Sequence, residues 1–197
     1  MFKLAENNDE PIIVENNKIY YTSNNNSIIT PYSTTVFGAN IISNTFDNSI
    51  NKYVIEFDGP VTQAGSNAFR SRSALSSIIL PNTVTSIGDR AFYYCSNITQ
   101  IDCGSGVKTL GASVFSTCEL LEKIILGPNV TSVGQYCFYG CSVLSEIHLP
   151  TTTPPTGAYG MLDGVPDTCK IYIPSGSINA YSSAKYWSNY SSMFVEK

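Results

Sequence analysis

The chain has 197 residues, of which 43% are hydrophobic and 12% aromatic, so it is long and apolar enough to bury one sizeable core. Only 13% of the residues are charged, the net charge is -4, and no basic run occurs. Because phosphate binding needs clustered Lys and Arg, nucleic acid is not expected as a partner. No stretch of 18 apolar residues occurs, which argues against membrane insertion. Residues 1–8 show no secretion signal.

The first predicted element is a hairpin. The segments KIYYT and SIITP flank three asparagines at positions 24–26, a pattern that indicates two strands joined by a turn. Residues 1–37 are therefore predicted to be an N-terminal segment and hairpin cap.

A repeat follows, and its four clearest units begin at Val61, Val84, Val107 and Val130, each 23 residues after the last. A fixed period of this length is typical of a solenoid, in which each unit buries its apolar side chains only by stacking on its neighbours. Matching positions form four apolar columns: Ala64, Ile87, Leu110 and Val133; Phe69, Phe92, Phe115 and Phe138; Leu75, Ile98, Leu121 and Leu144; and Ile78, Ile101, Ile124 and Ile147. A glycine column, which indicates positive φ or close backbone approach, comprises Gly65, Gly88, Gly111 and Gly134.

Weaker copies of the pattern extend the predicted array in both directions. Upstream, the apolar columns are interpreted as continuing at Ile41, Phe46, Ile55 and Phe57. Downstream, Met161 continues the phenylalanine column in a unit with an insertion. The predicted solenoid covers residues 38–176, with units 38–60, 61–83, 84–106, 107–129, 130–152 and 153–176.

The last predicted element is a helical cap over residues 177–197. Ser177 is a suitable N-cap residue, and apolar side chains recur at three-residue steps after it. These are Ile178, Tyr181, Ala184, Trp187, Tyr190 and Phe194.

The unit LSSIILPNTVTSIGDRAFYYC, residues 75–95, resembles the BspA-type leucine-rich repeat almost position for position. The resemblance implies an α/β leucine-rich-repeat solenoid: a right-handed superhelix with parallel strands, mostly β, with short helical or 3-10 turns. It also implies a surface-exposed or secreted microbial protein that adheres to host matrix, other cells or glycans, with no catalytic residues and no cofactor. The sequence departs from the family pattern at Arg72, where the family has Cys, and at Cys103, where an apolar residue is expected.

Alternation along the longer strands predicts an outward face that a partner can contact. Apolar or aromatic groups occur there among charges, although solvated positions of a repeat would also look like this. The candidate residues are Glu56, Ile79, Gln100, Asp102, Lys123, Ile125, Glu146, His148 and Tyr172. A second candidate is a tyrosine-rich corner, where the rings either stack on sugars or simply pack against each other at the turn between strands. It comprises Tyr93, Tyr94, Tyr136 and Tyr139.

The cysteines and the single histidine indicate no catalytic or metal site. Cys95, Cys118 and Cys141 share one repeat position, so they are expected to point inward as buried thiols. His148 is expected to point outward, away from Cys141, and no pair of cysteines has zinc-ligand spacing. Because the acidic residues are dispersed, no hydrolytic carboxylate pair is expected.

The sequence therefore predicts a binding or adhesion module rather than an enzyme. Its partner is expected to be a protein or glycan on a host or neighbouring cell. The alternative is a structural spacer or an assembly component of an appendage or phage particle, and the oligomeric state stays open.

Overall fold

The computed structural model describes residues 13–197. In chain order its elements are β1 (Lys18–Ser23), β2 (Ile41–Asp47), β3 (Lys52–Phe57), β4 (Gln63–Ala64), β5 (Leu75–Ile79), β6 (Ser86–Ile87), β7 (Gln100–Asp102), β8 (Thr109–Leu110), β9 (Lys123–Ile125), β10 (Ser132–Val133), β11 (Glu146–His148), β12 (Lys170–Ile173), α1 (Ile178–Ser183), a 3-10 helix (Trp187–Met193) and β13 (Phe194–Glu196). Within the described range, no helix has the length and apolar character to cross a membrane.

Two parallel sheets run along the repeat. The short-strand sheet has the order β10-β8-β6-β4, and the long-strand sheet has the order β13-β12-β11-β9-β7. In the long-strand sheet Ile101 is in register with Ile124, and Ile124 with Ile147. Residues at matching positions of successive units are thus direct neighbours, which confirms the predicted parallel solenoid.

A third set of hydrogen bonds links the coils through the turns between the two sheets, which we call the turn ladder. The backbone N–H of Phe92 donates to the carbonyl of Val114 at 3.0 Å, Phe115 to Cys137 at 2.8 Å, and Phe138 to Met161 at 2.9 Å. Buried backbone groups on this side are therefore satisfied by the next coil, without a regular helix.

The four phenylalanines of the predicted column lie in the core as one continuous stack. Phe69, Phe92, Phe115 and Phe138 are fully buried. Neighbouring ring centroids are 5.5–5.7 Å apart, and the ring planes differ by only 7–12°.

The N-terminal end differs from the sequence-based expectation. β1 lies between β3 and β5 and pairs antiparallel with both, and β2 pairs antiparallel with β3. Residues 24–26 do form a turn, but the segment SIITP after it is not a strand. Residues 41–57, interpreted as a degenerate coil, instead form an antiparallel hairpin, in which Phe46 is 41% exposed while Ile55 and Phe57 are buried.

The turn between β2 and β3 explains this difference. The Asp47 carboxylate accepts hydrogen bonds from the backbone N–H and the hydroxyl of Ser49, and Asn51 has a φ of 52°. A side chain that bonds its own backbone two residues on, followed by a left-handed residue, reverses the chain tightly. The chain therefore returns alongside β2 and does not continue around a coil.

At the C-terminal end the cap is helical but not one helix. α1 ends at Ser183, the 3-10 helix is kinked at Tyr190, and β13 pairs parallel with β12. Ser177 precedes α1 without a side-chain capping bond. Trp187 is buried and its indole N–H donates to the Pro155 carbonyl at 2.6 Å, so it covers the last coil.

Candidate ligand-binding face

The outward residues of the long-strand sheet form two parallel rows, as the alternation in the sequence predicts. In one row Gln100, Lys123, Glu146 and Lys170 are in register from strand to strand. In the other row Asp102, Ile125, His148 and Tyr172 are in register. The structure thus brings seven of the nine candidate residues onto one continuous face: Gln100, Asp102, Lys123, Ile125, Glu146, His148 and Tyr172.

A network of charged and aromatic groups occupies the centre of this face. Lys123 Nζ and His148 Nε2 each lie 2.8 Å from Glu146 Oε2. The hydrogen bonds from Lys123 and His148 lower the pKa of the Glu146 carboxyl to about 2. Glu146 is therefore ionised at neutral pH and orients both neighbouring side chains.

Aromatic contacts extend this network toward the last strands. The His148 and Tyr172 rings have centroids 4.7 Å apart, and Lys197 Nζ lies 3.4 Å from the Tyr172 ring centroid. Beside the rows, Asp102 and Ile125 line a shallow depression of about 310 Å³ that also includes Pro128 and Pro150. The face thus combines fixed charges, one aromatic ring and a recess.

Glu56 and Ile79 lie outside the hydrogen-bonded long-strand sheet, although β5, which carries Ile79, packs beside β7. Glu56 lies on β3 opposite Lys18, and Ile79 lies on β5 opposite Tyr20. Because β1 separates β3 from β5, Glu56 and Ile79 are not adjacent. Tyr20 is 4% exposed and lies between Val54 and Ile79, so this end of the face is closed by an aromatic ring.

The tyrosine corner lies along the turn ladder. Tyr94 and Tyr139 are 48% and 47% exposed, and Tyr93 and Tyr136 are half-buried. The Tyr136 ring contacts both Tyr139 and Tyr159, with centroids 5.8 Å apart in each case. The sequence interpretation missed Tyr159, which occupies the repeat position of Tyr136 one unit later.

The predicted cysteine column lies in the core. Cys95, Cys118 and Cys141 are fully buried, and each thiol lies within hydrogen-bonding distance, 3.0–3.3 Å, of a phenylalanine carbonyl on the preceding coil. Arg72 occupies the same repeat position in the first clear unit, and its Nε donates to the Thr30 carbonyl at 2.6 Å. The arginine thus makes the equivalent bond to the N-terminal segment. Cys103 is also buried.

We expect the thiols to be unreactive in the folded protein. All six cysteines are free and buried, and burial raises the pKa of the Cys95 and Cys141 thiols to about 12. A rise of three pKa units lowers the reactive thiolate fraction about 1000-fold. Ellman's reagent should therefore label none within an hour in buffer, and all six in denaturant. Rapid native labelling of even two thiols would contradict this burial.

Among residues 13–197 no group of three or more His, Cys, Asp or Glu side chains could hold a metal ion. His148 points outward on β11, while Cys141 lies in the core. The two residues are therefore not brought together as a nucleophile and its base.

Comparison with known proteins agrees with this architecture. The model of the BspA-type leucine-rich-repeat region matches residues 39–160 in six copies, so the sequence pattern extends into the antiparallel N-terminal strands. A search of curated proteins found no match. Leucine-rich-repeat folds of this kind are typically non-catalytic binding scaffolds.

Two solved structures match part of this chain. The leucine-rich repeat protein TpLRR of T. pallidum has a TM-score of 0.55 at 24% identity, over 63% of this chain and 56% of that chain. A leucine-rich repeat protein from Bacteroides ovatus ATCC 8483 has a TM-score of 0.38 at 24% identity, over 57% of this chain and 37% of that chain. The match thus spans little more than half of the T. pallidum protein. Since the family model covers more than half of the sequence, the chain belongs to the BspA-type leucine-rich-repeat family.

Proposed function

We propose that the protein is a non-catalytic binding or adhesion module of a microbial surface or secreted protein, and that it recognises a host protein or glycan through the outer face of the long-strand sheet. The observation that carries this proposal is the pair of in-register outward rows on β7, β9, β11 and β12. A repeat fold of this family generally serves as a protein-binding or adhesion scaffold.

The arrangement of the two rows supports recognition rather than mere solvation. Glu146 holds Lys123 and His148 in fixed positions, so fewer side-chain rotamers are lost when a partner binds. Ile125 lies next to His148 and supplies an apolar contact beside these charges. A central apolar group with polar groups around it is the usual composition of a specific interface.

The test is a binding screen followed by two substitutions. The purified protein is applied to a panel of host matrix proteins and a glycan array, and the strongest ligand is titrated. We expect Ile125→Glu and His148→Ala each to lower the affinity for that ligand at least about tenfold. The reason is that loss of a central contact typically costs more than about 1.4 kcal/mol of binding free energy. Lys108→Gln, which removes an exposed charge outside the rows, is the matched control. Unchanged affinity in both variants would exclude this face.

The alternative function, a spacer or assembly component, has one structural feature in its favour. β2 is the edge strand of the N-terminal sheet, and its Ile42 side chain is 61% exposed. An exposed apolar edge strand is suited to pairing with another chain. Light scattering over a range of concentrations decides between the two functions: growth in mass that Ile42→Lys abolishes favours assembly, and a constant monomer mass excludes this edge as the assembly site.

A further inference from the structure

The three arginines of the sequence, Arg70, Arg72 and Arg90, all belong to the turns of the first two clear repeat units. The net charge is -4, so this grouping does not follow from a basic composition. Among residues 13–197 none of the three arginines forms a salt bridge. Three guanidinium groups without a salt-bridge partner in the described range therefore lie at one end of the side of the solenoid that carries the turn ladder, which we call the turn side.

Aromatic rings hold two of these guanidinium groups in place. The Arg70 guanidinium carbon lies 6.0 Å from the Tyr32 ring centroid and 5.7 Å from that of Tyr93. The Arg72 guanidinium carbon lies 5.5 Å from the Tyr32 centroid, and its Nε bonds the Thr30 carbonyl. Such contacts pre-orient an arginine while leaving its terminal N–H groups for an incoming anion.

Exposed tyrosine rings continue from this arginine cluster along the array. Tyr94, Tyr139 and Tyr159 are 48%, 47% and 60% exposed. On the coil between Tyr94 and Tyr139, Thr117 occupies the repeat position of Tyr94, and the buried Ser116 occupies that of Tyr139. The exposed rings therefore lie on several coils of the turn side.

The backbone at these positions is unfavourable for the side chains that it carries. Arg90, Tyr94 and Tyr136 have φ values of 55°, 60° and 55°, in the left-handed region. Gly140 occupies the repeat position of Tyr94 two units later, with a φ of 70°. The other units also have positive φ at these repeat positions, at Asn67 and Ser113 and at Ser71 and Thr117, so the left-handed backbone belongs to the turn of every unit.

We propose that this turn side binds an acidic polysaccharide, with sugar rings on the exposed tyrosines and uronate carboxylates on the arginines. A planar guanidinium matches a carboxylate with two parallel hydrogen bonds, and a tyrosine ring offers both an apolar face and a hydroxyl. A linear polymer of acidic sugars is long enough to contact the arginines of the first two clear units and the exposed tyrosine rings on later coils together. This site is separate from the long-strand sheet and does not depend on it.

The test uses oligogalacturonate and its methyl ester, which has the same chain without the carboxylate charges. Isothermal titration calorimetry should show binding of the acid form that weakens as ionic strength rises, and at least about tenfold weaker binding of the ester. The double variant Arg70→Gln/Arg90→Gln and the single variant Tyr139→Ala should each lose at least about tenfold in affinity. Lys108→Gln, which removes one exposed positive charge elsewhere, should bind like the unmodified protein.

Four outcomes would overturn the proposal: no binding of the acid form, equal binding of the ester, equal loss in Lys108→Gln, or preference for a sulfated polysaccharide over the uronate. Thermal unfolding of each variant separates lost binding from lost folding. If the melting temperature of the double arginine variant falls, Arg90→Lys replaces it. This substitution keeps the positive charge but not the bidentate geometry, and it should also weaken binding. Retained affinity in Arg90→Lys would exclude the bidentate contact.

Discussion

Replacing Phe115 with alanine is expected to lower the free energy of unfolding by about 3–5 kcal/mol, the usual cost of removing a large buried aromatic side chain. Phe115 is fully buried and stacks between Phe92 and Phe138 at centroid distances of 5.5 and 5.7 Å. The substitution therefore leaves a cavity in the middle of the array, where two neighbouring coils lose contacts together. Urea unfolding, followed by the fluorescence of the single Trp187, measures the change.

Leu120→Ala provides the control in the same repeat unit. The Leu120 side chain is 47% exposed, so its truncation removes little buried area. We expect a change within about 0.5 kcal/mol, as for most surface substitutions. If Phe115→Ala cost no more than Leu120→Ala, the phenylalanine stack would not be the main contact between coils.

The array could be predicted from the sequence because burial imposes the same requirement on every coil. A side chain that points inward must match its neighbours one unit before and after, so Phe92, Phe115 and Phe138 repeat with the period of the chain. Outward positions carry no such requirement. Their strand register follows from the apolar columns beside them, so the sequence also predicts that Lys123 and Glu146 lie on one outward face.

The N-terminal strands could not be predicted in the same way. Ile41, Phe46, Ile55 and Phe57 match the apolar columns in spacing, but spacing alone does not distinguish a coil from a hairpin. The deciding signal was local: Asp47 and Ser49 form a turn that reverses the chain. This turn signal spans only a few residues, whereas the apolar spacing extends over residues 41–57 and favours the interpretation as a coil.

The arginine cluster was missed for a different reason. Arg70, Arg72 and Arg90 occupy different repeat positions, so a comparison by columns does not group them. Tyr32, which contacts two of the three, lies outside the repeat altogether. A site built from unlike positions becomes visible only when the turns of neighbouring coils are placed in space.

The glycine column shows how closely the coils approach each other. None of its four members has positive φ, so the alternative of close backbone approach explains it. A Cβ added at Gly134 would lie 2.3 Å from the Gly111 carbonyl oxygen and 2.8 Å from the Ala112 backbone nitrogen. Both contacts are with backbone, which cannot turn away as a flexible side chain could.

Gly134→Ala is therefore expected to destabilise the protein by about 1–3 kcal/mol, the usual cost of overpacking, because two coils must separate at the short-strand sheet. Gly59→Ala is the matched control: its Cβ would meet only the Ala39 Cβ at 3.9 Å, and its φ is not positive. That substitution should be neutral or stabilising by up to about 1 kcal/mol through the unfolded chain. Urea unfolding compares the two variants directly, and equal stability would mean that the coils are not in backbone contact at Gly134.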